Sequence, residues 1–259
     1  MNLGVLLLAL GAACWSAWLE LAARSPDLLT AVPLLLVVFT LAAPCVVPGG
    51  RLERVRPWPL ILLLLAYAAA ALLAPPLIRI APAVLAVCYC LHAARHAGAP
   101  RGSFYGLVLL ALPVLPSLEF YAAYPVRLAA IEVSAALLRM NGVAVETQGL
   151  ALRYGGQLVQ FDAPCSGVHM LWTCWFLTSA LAYLHRWPWW RYGLALLLAS
   201  SIAVAGNIVR ATSLFYLEAK LLVVDQAAWM HEAVGVAAFC LTAAVLCAAL
   251  LPRPRGVTA

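Results

Sequence analysis

The sequence predicts an all-α polytopic membrane protein of about eight transmembrane helices, with a small extracytoplasmic helix and a β-hairpin inserted before the sixth span. Three observations predict it. Of the 259 residues, 66% are hydrophobic and 10% charged, and the mean hydropathy of +0.98 lies outside the range of soluble domains. Apolar runs near the ~20 residues needed to cross the hydrocarbon core recur along the chain. Finally, only residues 116–164 spread charges through a stretch that is otherwise partly apolar. The net charge of +6 would suit nucleic acid in a soluble protein. In a membrane protein the excess of Lys and Arg is expected in short cytoplasmic loops, so the bilayer is the expected partner and nucleic acid is not.

Taken in order, Leu3–Ala23 is the first span: MNLG carries no Lys or Arg and the apolar run is too long for a cleaved leader. The tight turn RSPD leads to Leu28–Val47, and the basic loop GGRLERVRP to Trp58–Ala74. Leu77–His92, which holds Arg79, and Ser103–Leu115, interrupted by Pro113, are shorter, with the basic loop HAARHAGAPRG between them. Charges then appear at Glu119, Arg127, Glu132, Arg139, Glu146, Arg153 and Asp162. Val126–Met140 has helical apolar spacing and reads as an amphipathic helix closed by Gly142. The segments VAVETQ, LALRY and QLVQFD alternate or nearly alternate, and Gly155-Gly156 supplies a hairpin turn. A small sheet is thus expected to lead into Cys165. Gly167–His185 spans next, followed by the basic and aromatic loop HRWPWWRY, then Tyr192–Val209, a short extramembrane segment to Met230, and Ala233–Leu251.

With eight spans, the loops around Arg51, Arg54 and Arg56, around Arg95 and Arg101, and around Arg186 and Arg191 share one side with the tail bearing Arg253 and Arg255. That side is expected to be cytoplasmic, with both termini. Cys165, Arg210 and His231 then lie at the outer ends of three different spans.

Eight cysteines are present, mostly within apolar runs and without the paired spacings of a zinc site or a disulfide framework, so neither a metal nor another cofactor is expected. Most read as small core hydrophobes. Cys165 differs, because it follows Pro164 and precedes Ser166 and Gly167 where an apolar helix begins. A thiol in a helix's first turn lies near unpaired N–H groups that favour the thiolate. By itself Arg210 fits a snorkelling cation and His231 a satisfied polar residue. Together with Cys165 they supply a nucleophile, a titratable imidazole and a fixed cation for an oxyanion, the parts of an acyl-transfer site.

CSG at Cys165–Gly167, NIVR at Asn207–Arg210 and HEAVG at His231–Gly235 resemble, in residues and order, the three signature blocks of the exosortase/archaeosortase family. The stretch from Leu112 to the cysteine is similar to the region preceding it in bacterial exosortases. The resemblance implies one membrane domain over residues 1–259, with amino-terminal spans in 1–115, an extracytoplasmic insertion in 116–164 and catalytic spans in 165–259. It implies a cysteine transpeptidase of the bacterial inner membrane with its site on the extracytoplasmic face. Its partners would be membrane-anchored proteins ending in a Pro-Glu-Pro-like motif, a transmembrane helix and an Arg-rich tail. Carried onto this chain, Cys165 is the nucleophile, His231 the proton-transfer residue and Arg210 the oxyanion stabiliser, with Asn207, Ser166 and Gly167 in support.

His169 is the rival imidazole, since on a continuous helix it shares a face with Cys165, four residues earlier. His231 is preferred because it matches the family block and sits less deep. Rival functions are a transporter using Glu20, Arg79 and Arg210, and a non-catalytic subunit of an envelope polysaccharide system. A Cys165–Cys174 redox pair is disfavoured, since nine residues along a helix span about 13 Å.

Overall fold

A computed structural model describes residues 3–24, 37, 55–95, 101–160, 167–219 and 228–251. Its helices are α1 (Leu3–Ala13), α2 (Trp15–Arg24), α3 (Pro57–Leu73), α4 (Pro76–Arg95), α5 (Gly102–Ala111) and α6 (Leu115–Met140). Strands β1 (Glu146–Gln148), β2 (Ala151–Tyr154) and β3 (Gln157–Gln160) follow, then α7 (Val168–Leu184), α8 (Trp189–Glu218) and α9 (Ala228–Leu250).

The polytopic helical class is as expected, but the helices are not a uniform set of full-length spans. Among the described residues, three are long and apolar enough to cross a bilayer: Leu115–Met140, Trp189–Glu218 and Trp229–Leu250. The expected first span is broken at Cys14, where α1 and α2 bend by 73°; counted together they make a fourth. Pro57–Leu73, Ile78–Ala94, Gly102–Ala111 and Val168–Leu184 are apolar but shorter. At 1.5 Å per residue, α5 is only about 15 Å long, half the hydrocarbon thickness. The expected span Leu28–Val47 lies outside the described residues except for Val37. The helix expected over Val126–Met140 is the second half of α6, which begins at Leu115 and continues through Pro125.

The chain packs as two compact units, residues 1–114 with 179–192, and residues 115–178 with 193–259. In the first, α1 packs on α4 through Leu6, Leu10, Ala86, Tyr89 and Cys90, and an Arg79–Glu20 ion pair of 2.8 Å ties α4 to α2. At the HRWPWWRY loop, the Arg191 guanidinium lies 4.3 Å from the centre of the Trp187 ring, a cation–π contact suited to an interface.

The second unit holds the sheet, antiparallel in the order β1-β2-β3. Gly155 and Gly156 turn β2 into β3 with φ of 57° and 82°, the double positive φ that a tight two-residue hairpin needs. Leu152 and Val159 are cross-strand partners and both are buried. They form one core with Ile131, Ala135 and Leu138 of α6 and Ala211, Leu214 and Phe215 of α8. Helix α6 ends as expected at Gly142, whose φ of 81° lets Val143 N–H donate to Leu138 O and Gly142 N–H to Arg139 O, each at 3.0 Å. The sheet is thereby fixed against the carboxy-terminal part of α8, and its last strand ends five residues before Cys165.

Candidate active site

The site residues are best placed by the glycines of the signature blocks, because each marks where a polar side chain approaches a backbone. Gly167 has a φ of 77° and stands just before α7, its carbonyl accepting from Leu171 N–H at 2.9 Å. A methyl group on it would lie 2.7 Å from both Cγ and Nδ2 of Asn207. Gly167 is required twice over, by its left-handed backbone and by lack of room. Asn207 is itself buried, 1% exposed, so it has little space to withdraw.

One helical turn further along α8, Arg210 reaches α9. A methyl group on Gly235 would lie 3.3 Å from its Nη2, 3.4 Å from Nε and 3.6 Å from Cζ. Three guanidinium atoms at nearly one distance mean that the group lies along the α9 backbone at this glycine. His231 is four residues before Gly235, one turn away on the same side of α9. Its Nδ1 is 3.4 Å from a carboxylate oxygen of Glu218, the last residue of α8. CSG therefore meets NIVR through Gly167–Asn207 and NIVR meets HEAVG through Arg210–Gly235, while His231–Glu218 ties HEAVG to the end of α8. A methyl group on Gly206, the residue before Asn207, would collide with Thr242 of α9 and Met170 of α7, so the three helices also converge there.

Cys165 and Ser166 lie outside the described residues. The expectations that Cys165 lies in the first turn of a helix and shares a face with His169 therefore concern a residue outside the described ones. The described part of α7 begins at Val168, after the left-handed Gly167. His169 pairs across to α6, its Nδ1 3.2 Å from a Glu119 carboxylate oxygen. Cys174, the other member of the discounted redox pair, is buried within α7. Among the described residues no group of three or more His, Cys, Asp or Glu side chains comes together in a way that would hold a metal.

The sequence reading missed both carboxylates. Glu232 is adjacent to His231 in sequence, but neighbouring helix positions do not face each other, and the oxygen at 3.4 Å belongs to Glu218. Glu218 follows Asn207 by eleven residues, three turns of one helix, which puts both on one side. That signal was hidden by ending the helix with its apolar run at Val209, whereas α8 continues to Glu218.

A carboxylate at Nδ1 of an imidazole favours the tautomer with hydrogen on Nδ1 and leaves Nε2 as the basic nitrogen. Arg210 and the His231–Glu218 pair thus present a planar cation and an oriented imidazole where α8 meets α9. The family model for transmembrane exosortases (Exosortase_EpsH) matches residues 2–248 of this chain. No curated protein and no solved structure matches it.

Proposed function

The chain belongs to the transmembrane exosortase family, and from that premise we propose that it is a membrane cysteine transpeptidase using Cys165, His231 and Arg210. The observation that carries this reading is the meeting of the three signature blocks at Gly167–Asn207 and Arg210–Gly235, with His231 held by Glu218 of α8. The substrate is an exported protein held in the inner membrane by a carboxy-terminal helix, with a Pro-Glu-Pro-like motif on its outer side and an Arg-rich tail, as in exopolysaccharide-associated protein sorting.

Nε2 of His231 takes the Cys165 thiol proton, and the thiolate attacks the scissile carbonyl carbon, forming a C–S bond as the C=O electrons move to oxygen. The Arg210 guanidinium offers fixed N–H donors to that oxyanion, an interaction worth most where water is scarce. When the oxyanion collapses the C–N bond breaks, and His231 returns the proton to the departing amine. The products are a Cys165 thioester and a released helix with a free amino group. Glu218 holds the ring of His231 throughout, and an acceptor carrying an N–H or O–H then takes the acyl group.

The test is co-expression with a tagged reporter ending in such a signal, followed by its size on a blot. The reporter shortens with the parent protein, remains full length with Cys165→Ala or His231→Ala, and is processed far more slowly with Arg210→Lys, since a point charge replaces a planar donor pair poorly. Undiminished processing by Cys165→Ala would instead favour a non-catalytic subunit of an envelope assembly system.

A further inference from the structure

The second unit also carries a charged cleft of about 380 Å³, lined by Arg139 of α6, Glu146 of β1, Arg153 of β2 and the turn residues Gly155 and Gly156. Arg139 donates from Nε to Val145 O at 3.0 Å, and Arg153 from Nη2 to Gln148 Oε1 at 2.9 Å. Each guanidinium is thus held in place by a neutral acceptor that leaves its charge uncompensated. Glu146 stands opposite Arg153 in the ladder, yet no ion pair among the described residues joins its carboxylate to either guanidinium. Two cations and one anion in one cleft leave a single positive charge over, which a bound monoanion would balance. The glycine wall is open, since a methyl group on Gly155 or Gly156 would meet nothing within 4 Å.

Two features narrow the class of anion. A planar carboxylate is satisfied by one guanidinium fork, whereas the tetrahedral oxygens of a phosphate can be met from two directions, here from a helix and from a strand. The second feature is depth. Helix α6 is long and apolar enough to cross a bilayer. Its 26 residues span about 39 Å against about 30 Å of hydrocarbon, so an α6 that crosses the bilayer carries Arg139, in its last turn, into the headgroup layer. We propose that the cleft binds a phospholipid headgroup, with the phosphodiester between Arg139 and Arg153 and a headgroup N–H or O–H donor on the Glu146 carboxylate. Glu146 makes the site selective: it accepts from the ammonium of an ethanolamine head, while a choline head has no N–H to offer. A lipid held there fastens the sheet, and the core it shares with α6 and α8, to the membrane surface. No bond is made or broken, and the inference stands apart from the transpeptidase reading.

The test titrates the full-length chain in detergent with phosphatidylethanolamine or phosphatidylcholine of the same acyl chains and reads bound lipid by native mass spectrometry. The parent should hold the ethanolamine lipid about tenfold more tightly, the scale of one charge-assisted hydrogen bond. Arg153→Gln should weaken both lipids about tenfold by removing one phosphate contact. Arg139→Gln should do the same, but Arg139 also braces the turn after α6, so Arg153→Gln is the deciding variant. Glu146→Ala should bring the two lipids within about twofold of each other without weakening the choline lipid, a result that a misfolded variant cannot give. The proposal is overturned if Arg153→Gln binds both lipids like the parent, or if Glu146→Ala keeps the parent's preference. Glycerophosphoethanolamine, the same head without acyl chains, should compete only weakly. Competition as strong as the lipid's own would make a soluble phosphodiester the ligand and overturn the lipid assignment, as would displacement of the lipid by an acidic peptide.

Discussion

Replacing Gly235 with alanine should make the protein no less stable and yet slow it. Gly235 lies inside α9, where alanine is favoured over glycine by about 0.8–1.0 kcal/mol. Against this, the new methyl would sit 3.3 Å from Nη2 and 3.4 Å from Nε of Arg210. Comfortable contact between such atoms begins at about 3.5 Å, so the guanidinium must lift by a few tenths of an ångström. The two terms nearly cancel in stability, leaving a net change between roughly zero and 1 kcal/mol in favour of the variant. They do not cancel in catalysis, because an oxyanion donor works only when already in place. Losing one outright costs about 10²–10³ in kcat, so partial misplacement should cost about tenfold, near 1.4 kcal/mol. The assay pairs the Tm in detergent micelles with the single-turnover rate of reporter processing. An unchanged or raised Tm with a roughly tenfold slower rate is the expected result. A parent-like rate would refute the reasoning, since Arg210 would then not need its seat on α9.

Gly167→Ala should fail on both counts. The left-handed backbone costs about 1–2 kcal/mol for an L side chain, and the 2.7 Å approach to buried Asn207 adds to it, so Tm and processing should fall together in the same two assays. For Glu218→Gln the signs separate: the pair is about 40% exposed, so stability should move by less than about 0.5 kcal/mol while the processing rate falls about tenfold. Leu152→Ala, at a fully buried sheet position packed with α6 and α8, should cost about 2–5 kcal/mol in chemical or thermal unfolding. In the first unit, Arg79→Ala should lower Tm more than the double change with Glu20→Ala, because the single change leaves a partly buried carboxylate without its cation.

What could be read from the chain depended on which physical signal each feature leaves in it. The three blocks were legible because reactive residue types recur at the ends of apolar runs. The hairpin was legible because adjacent glycines at 155 and 156 suit only a few turns. Hydropathy reports contact with lipid, not helicity, so Val209 marked the end of an apolar run while the helix ran nine residues further to Glu218. The same confusion split α6, where charges at Glu119, Arg127 and Glu132 suggested a surface element for part of what is one helix. The break at Cys14 leaves only a faint trace, since no Pro stands at the 73° bend and the nearest glycine, Gly11, is three residues before it. The carboxylate partners were invisible for another reason: Glu119 precedes His169 by fifty residues, and Glu218 faces His231 from a different helix.

Asn207, Arg210 and Glu218 all ride on α8, across about 16 Å of a single helix. No motion inside the site can alter their spacing along that axis, so they act as fixed marks on a ruler standing in the bilayer. A thicker or thinner membrane that tilts or slides α8 carries all three marks together. On the proposed transpeptidase reading, a substrate's membrane helix would respond to the same change by its own length. Lipid composition would then set which peptide bond meets the marks, and the length of that apolar segment would become part of its address.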